Sequence, residues 1–247
     1  MGYQSGQLSI ANSLPTVESV PLFTKGLKRF NIFLLTETAL VTIVAILAIR
    51  LLATSSVSRA TWFVSPGILV AAAIIPTTIR RAEFPKIGLN IRQIGPTLLV
   101  VCRTCVVVFP ALFAGLWLLK SFGLGLPLQP VQPKDQSWVS WLFYQFMYVA
   151  VAEEVFFRGY VQSNILRLTN LCKDGQRRLW KWLSIVLSAA CFAVAHIIIQ
   201  GRVILVLTFL LGLICGWLFI RTRSLLAPIL FHGLANTCYC AMVVISM

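Results

Sequence analysis

Apolar runs of about 20 residues, separated by short polar and basic stretches, recur from Phe30 to the end of the chain. A helix of about 20 apolar residues crosses the roughly 30 Å hydrocarbon core of a bilayer. The pattern therefore predicts an all-α fold, a polytopic bundle of about seven membrane-spanning helices. The expected spans are Phe30–Ala53, Ala60–Ile79, Pro96–Leu119, Trp138–Leu168, Lys181–Gln200, Val203–Arg221 and Leu225–Met247. A polar connection, Arg80–Gly95, lies between the second and third spans and suits the membrane interface. A loop rich in Gly and Pro, Lys120–Ser137, precedes the fourth. Residues 1–29 read as a polar cytoplasmic tail, 30–137 as the N-terminal membrane helices and 138–247 as the C-terminal membrane core. The first thirty residues lack the apolar core and small-residue cleavage site of a secretory signal.

Composition agrees. Of 247 residues, 58% are hydrophobic and 11% charged, where a soluble domain carries roughly 25% charged residues. The net charge of +14 would point to nucleic acid in a soluble protein. Here the basic residues sit in the connections, where orientation and anionic headgroups require them, so the bilayer is the expected partner and nucleic acid is not. With the N-terminus inside, the inner segments hold Lys25, Lys28, Arg29, Arg80, Arg81, Lys86, Arg92, Arg158, Arg167, Lys173, Arg177, Arg178, Lys181, Arg221 and Arg223. The outer segments hold only Arg50, Arg59, Lys120, Lys134 and Arg202. This asymmetry predicts a multi-pass protein of the plasma or inner membrane, N-terminus cytoplasmic and C-terminus outside. All cysteines but Cys172 fall in apolar runs and read as small buried side chains, and Cys102–Cys105 alone is weak support for redox or metal chemistry.

Ionisable groups inside a bilayer are costly and are functional candidates by default. Glu18, Glu83, Asp135 and Asp174 lie in polar segments, leaving Glu37, Glu153 and Glu154 in the spans, with His196 and His232 the only histidines. Glu153 and Glu154 point about 100° apart on a helix and cannot serve one site equally. Glu154 and Arg158 stand at i, i+4, the spacing of an ion pair on one face. Glu153 is then left to face the interior, where a carboxylate can act as a general base. The structural alternative is that both acids serve Arg158 and a neighbouring amide. His196 lies one turn after Phe192 on the same face; a lone histidine there is more often a hydrogen-bonded interior residue than a catalyst. His232 and Asn236, also at i, i+4, present an imidazole and an amide together, either as donors to a developing oxyanion or as an interhelical clamp.

Three motifs, Glu153–Arg158 (EEVFFR), Phe192–His196 (FxxxH) and His232–Asn236 (HxxxN), resemble those of the CAAX-processing and bacteriocin-immunity family of intramembrane glutamic-type peptidases, abbreviated CPBP or ABI. The resemblance covers roughly Trp138–Met247, which it marks as a catalytic membrane core. It implies an intramembrane endopeptidase acting on a membrane-anchored peptide or protein, by CAAX-type or sorting-signal-type processing. By position it implies Glu153 and His196 as activators of water and His232 and Asn236 as the oxyanion hole, with Glu154, Arg158 and Phe192 supporting. It leaves the substrate open.

The chain has no HExxH, so no cofactor is expected; if zinc were required, Glu153, His196 and His232 are the candidate ligands. Two other functions share these features: a non-catalytic membrane scaffold or immunity protein of the same fold, and a proton-coupled transporter. The latter calls for repeats and broken helices in both halves, which the sequence does not show. Two further features read as structural. Gly212 and Gly216 form a GxxxG suited to close helix packing, and Glu37 is expected to pair with Arg103 across the first and third spans.

Overall fold

The computed structural model describes residues 20–54, 58–82, 91–123, 137–167 and 174–246. They form a bundle of seven helices with no strand among the described residues. Helix α1 is Val20–Thr54, α2 is Ser58–Ile79 and α3 is Ile91–Ser121. Helix α4 runs over residues 138–167, and α5 is Asp174–Gln200. A single 3-10 turn, Val203–Leu207, leads into α6, Thr208–Thr222, and α7 is Leu226–Ser246.

Four stretches are long and apolar enough to cross a bilayer: Ile32–Thr54, Gln93–Gly115, Gln176–Gln200 and Val203–Thr222. Val64–Ile79 is a shorter apolar helix. Large apolar side chains such as Val106, Val107, Leu51 and Ile79 are left exposed, as lipid-facing surface requires. The chain is a membrane protein.

Several helices begin before the apolar pattern does. α1 starts at Val20 rather than Phe30, α3 at Ile91 rather than Pro96, and α5 at Asp174 rather than Lys181. Hydropathy marks the stretch inside hydrocarbon, whereas a helix continues into the interface as long as its backbone bonds can close. Residues 83–90 and 124–136 of the two polar connections, and Leu168, lie outside the described residues.

Helix α4 is the axis of the bundle, and every residue from Val155 to Ile165 is buried. Phe156, Phe157, Tyr160, Val161 and Ile165 pack against Ile46 and Ile49 of α1, Leu69 and Ala73 of α2, and Phe192 and Ala195 of α5. A second cluster joins α3 to α6 and α7 through Val101, Cys215, Leu218, Ala227 and Phe231. Phe109 and Phe231 stack there at 5.8 Å.

α4 is not a regular α-helix. Its two π-helical segments, Tyr144–Ala150 and Val155–Gln162, flank a single α turn, Val151–Glu154. The wider π turn re-aims the side chains that follow it and is found most often at functional sites. Buried hydroxyls close on their own helices: Thr38, Thr42 and Thr77 each donate to the carbonyl four residues earlier at 2.7 Å. Those three hydroxyls are thereby paired in a medium without water. α5 ends at Gly201, whose φ of +69° is free of side-chain strain and whose N–H reaches the Ile197 carbonyl at 2.8 Å.

Close approach of α5 and α6 depends on the GxxxG. A Cβ on Gly212 would fall 2.9 Å from Ala189 Cα, and one on Gly216 would fall 3.0 Å from Ile185 Cγ2. The same glycines expose their carbonyls to α4: Arg158 Nη2 donates to Gly212 O at 2.9 Å and Gln162 Nε2 to Gly216 O at 3.0 Å. The expected Glu37–Arg103 pair does not form. Glu37 instead faces Arg80, just past the end of α2, Oε1 to Nε 3.2 Å, and accepts from the Tyr160 hydroxyl at 3.0 Å. Arg103 is exposed on α3.

Candidate active site

The α turn Val151–Glu154 at the centre of α4 carries the two glutamates, and their divergence on the helix sends them to different partners. Glu154 is fully buried and forms an ion pair with Arg158, Oε2 to Nε 3.0 Å, with neither side chain exposed. The Arg158 guanidinium also lies over the Phe192 ring, 4.9 Å from its centroid. Its charge is met by Glu154 and its Nη2 by the Gly212 carbonyl, while Nε and Nη1 make no hydrogen bond.

Glu154 has a second role that helical spacing did not disclose. Its Oε1 accepts a hydrogen bond from His232 Nδ1 of α7 at 2.8 Å. Sequence spacing assigned Glu154 to Arg158 alone, because an i, i+4 contact is visible in a sequence and a contact 78 residues away is not. The carboxylate only accepts, so Nδ1 carries the proton and Nε2 is directed at the other glutamate. His196 of α5 is held in the same sense. Its Nδ1 lies 3.0 Å from the Phe192 carbonyl, which can only accept, and its ring packs on Phe192 at 4.4 Å.

Both Nε2 atoms converge on Glu153. Glu153 Oε2 lies 3.9 Å from His196 Nε2 and 3.7 Å from His232 Nε2. That oxygen is buried and makes no direct hydrogen bond. Separations just beyond hydrogen-bond range between groups of this kind are the span of a bridging water. Glu153 and His196 each retain 18% exposure, whereas His232 retains 2%, so the site opens on the Glu153–His196 side.

Asn236 lies one turn beyond His232 on α7, with Nδ2 donating to Gln145 Oε1 at 2.9 Å. Gln145 is buried in the first π segment of α4. Because its oxygen accepts, the Asn236 amide is held with its NH2 in a fixed place and one N–H still to give. The sequence reading did not single out Gln145; its one signal was an amide in an apolar run. Gly233 completes the junction, since a Cβ there would fall 2.5 Å from the Phe146 ring.

The structure thus brings together Glu153, Glu154, Arg158, Phe192, His196 and His232, and holds Asn236, one helical turn beyond His232, by a hydrogen bond to Gln145. The CxxC cysteines take no part: Cys102 is an exposed free thiol and Cys105 a partly buried one.

Fold and site together define an integral membrane protein with a buried carboxylate–imidazole centre. Residues 135–238 match the family described as Type II CAAX prenyl endopeptidase Rce1-like. The chain belongs to this Rce1-like family and is of the CAAX intramembrane protease kind. It is also 31% identical over 163 residues to an uncharacterized 24.3 kDa protein of Escherichia coli, covering 63% of this chain and 67% of that one. No solved structure matches the chain significantly.

Proposed function

We propose that the chain is an endopeptidase that hydrolyses a peptide bond of a membrane-anchored protein or peptide, with Glu153 and His196 activating water. The observation that carries the reading is Glu153 Oε2, buried, without a hydrogen bond, and between two imidazole nitrogens at 3.7 and 3.9 Å. A water there can give its proton to the Glu153–His196 pair as its oxygen attacks the scissile carbonyl. The carbonyl oxygen then becomes negative. Asn236, oriented by Gln145, and His232, carrying a second proton taken from solvent at Nε2 before the substrate binds, are the donors that would stabilise it. The proton gained by the dyad passes to the leaving amine, which breaks the peptide bond.

We assign the chemistry to these side chains without a resident metal. The chain has no HExxH, and the His232 Nδ1–Glu154 bond serves an orienting role as it stands. The substrate class follows the family: a protein tethered by a lipid or a membrane segment, with a CAAX-type or sorting-signal-type sequence. The excess of Lys and Arg in these segments supports a cytoplasmic N-terminus and a cytoplasmic connection between α4 and α5.

The test uses full-length protein in proteoliposomes with a farnesylated peptide ending in a CAAX sequence, followed by mass spectrometry. Release of the C-terminal tripeptide is expected, unaffected by chelator and absent in Glu153→Ala. Loss on chelation with recovery on adding zinc would replace the metal-free assignment and keep the peptidase. Equal release by Glu153→Ala would overturn the mechanism.

A further inference from the structure

Arg103 is the unexplained charge of this bundle. It is the eleventh of the 23 residues of the Gln93–Gly115 span. At 1.5 Å per residue its Cα lies about 15 Å from one end of that span and about 18 Å from the other, and an extended arginine side chain covers roughly half of the shorter distance. It is exposed, and among the described residues no carboxylate or carbonyl receives it. A guanidinium facing hydrocarbon at this depth is among the costliest groups to leave unmet.

Helix α3 is also the least enclosed of the spans. Only 6% of its apolar window is buried, against 28 to 39% for the other three. Leu99, Val106 and Val107 stand three or four residues from Arg103, on the same face, and are 51%, 73% and 70% exposed. The face is thus an apolar stripe with one positive charge near its centre.

We propose that this face docks a transmembrane helix of another protein that carries an Asp or Glu near its midpoint. Charge complementarity selects the occupant. A second copy offers no carboxylate for the pairing: Glu37 is engaged by Arg80 and Tyr160, Glu154 by Arg158 and His232, and Glu153 is enclosed between two imidazoles. The other four acids, Glu18, Glu83, Asp135 and Asp174, fall in polar segments of the sequence. In hydrocarbon, a carboxylate on an apolar helix meets both the charge and the N–H groups of Arg103, and the apolar stripe packs beside it. The inference does not rest on peptidase chemistry.

The test places fluorescently labelled full-length protein in phosphatidylcholine vesicles with synthetic 23-residue Leu/Ala helices carrying a central Glu, Leu or Lys, and measures energy transfer. The Glu helix should associate about tenfold more tightly than the Leu helix. Arg103→Leu, expected to accumulate and melt like the native protein because the group it removes is exposed, should abolish that preference. Arg103→Lys should retain it in part, and Arg103→Glu should transfer it to the Lys helix. Equal association of all three helices with native protein, or a Glu preference that survives Arg103→Leu, would overturn the proposal. So would energy transfer between two copies of the protein that is lost in Arg103→Leu, which would assign the face to self-association. Enrichment of phosphatidylglycerol around the native protein but not the variant, with no peptide preference, would assign Arg103 to lipid headgroups and equally overturn it.

Discussion

Two adjacent carboxylates in this site have opposite surroundings. Glu154 is fully buried, 3.0 Å from Arg158 Nε and hydrogen-bonded to His232 Nδ1, whereas Glu153 Oε2 meets only two imidazole nitrogens, at 3.7 and 3.9 Å. Glu154→Ala should therefore act mainly on folding. It leaves Arg158 buried without its counter-charge, a loss of about 3–5 kcal/mol, visible as reduced accumulation in membranes. Glu153→Ala and His196→Ala should accumulate normally and both abolish cleavage, with the double variant little worse than either, because both groups serve one step. Asn236→Ala should lower the cleavage rate by ~10²–10³ if it is an oxyanion donor. Gln145→Leu should produce part of that loss and add almost nothing in the Asn236→Ala background; full additivity would show that Gln145 acts elsewhere. The acids and histidines of the site were legible in the sequence because so few ionisable groups lie in apolar runs. Gln145 and the Glu154–His232 bond were not, since a buried amide and a long-range contact leave no periodic trace. The Glu37–Arg103 expectation failed for the same reason: a sequence lists charges but not which helices touch, and α2, not α3, packs on α1 at that level.

At the level of elements, the geometry of the site depends on departures from the regular helix. A π segment of seven or eight residues shifts the side-chain direction too little to alter an apolar run, so the two in α4 are invisible to hydropathy. The GxxxG of α6 was legible, but its second use was not: its carbonyls receive Arg158 and Gln162 only because the missing side chains let α4 and α5 come close. Gly212→Leu should drive its side chain into the Ala189 backbone. A loss of about 1–3 kcal/mol in stability is expected, with fewer molecules extracted in folded form and residual cleavage by those that remain. Native-like melting of Gly212→Leu would show that α5 and α6 do not depend on this contact. Sequence boundaries were displaced most where helices extend beyond hydrocarbon, as at Val20 and Asp174. Glu153 lies midway along residues 138–167, and His196, on the far part of α5, reaches it at 3.9 Å.

For the whole molecule, the ties at the two ends of the bundle are consistent with alternating helices. Arg50 of α1 donates to the Ile199 carbonyl of α5 at 3.1 Å at one end. At the other, Arg80 Nη2 and Arg167 Nη1 both reach Asn164 Oδ1 at 3.3 Å. The basic end is the one the charge asymmetry assigns to the cytoplasm. In a protein with its native cysteines replaced by serine, Gly175→Cys should be labelled by an impermeant thiol reagent only from inside, and Gly123→Cys only from outside; the reverse pattern would invert the orientation. The central claim is that Glu153 performs catalysis rather than supporting a scaffold. It is tested most directly in the native host by comparing peptide termini in membrane fractions from cells carrying the intact protein and the Glu153→Gln variant at equal abundance. The expected result is a set of membrane-anchored proteins that stay uncleaved in the variant, each regaining its processed terminus when the intact protein is restored. Identical termini in both, with the biological function preserved, would contradict the peptidase account and leave the fold as a scaffold.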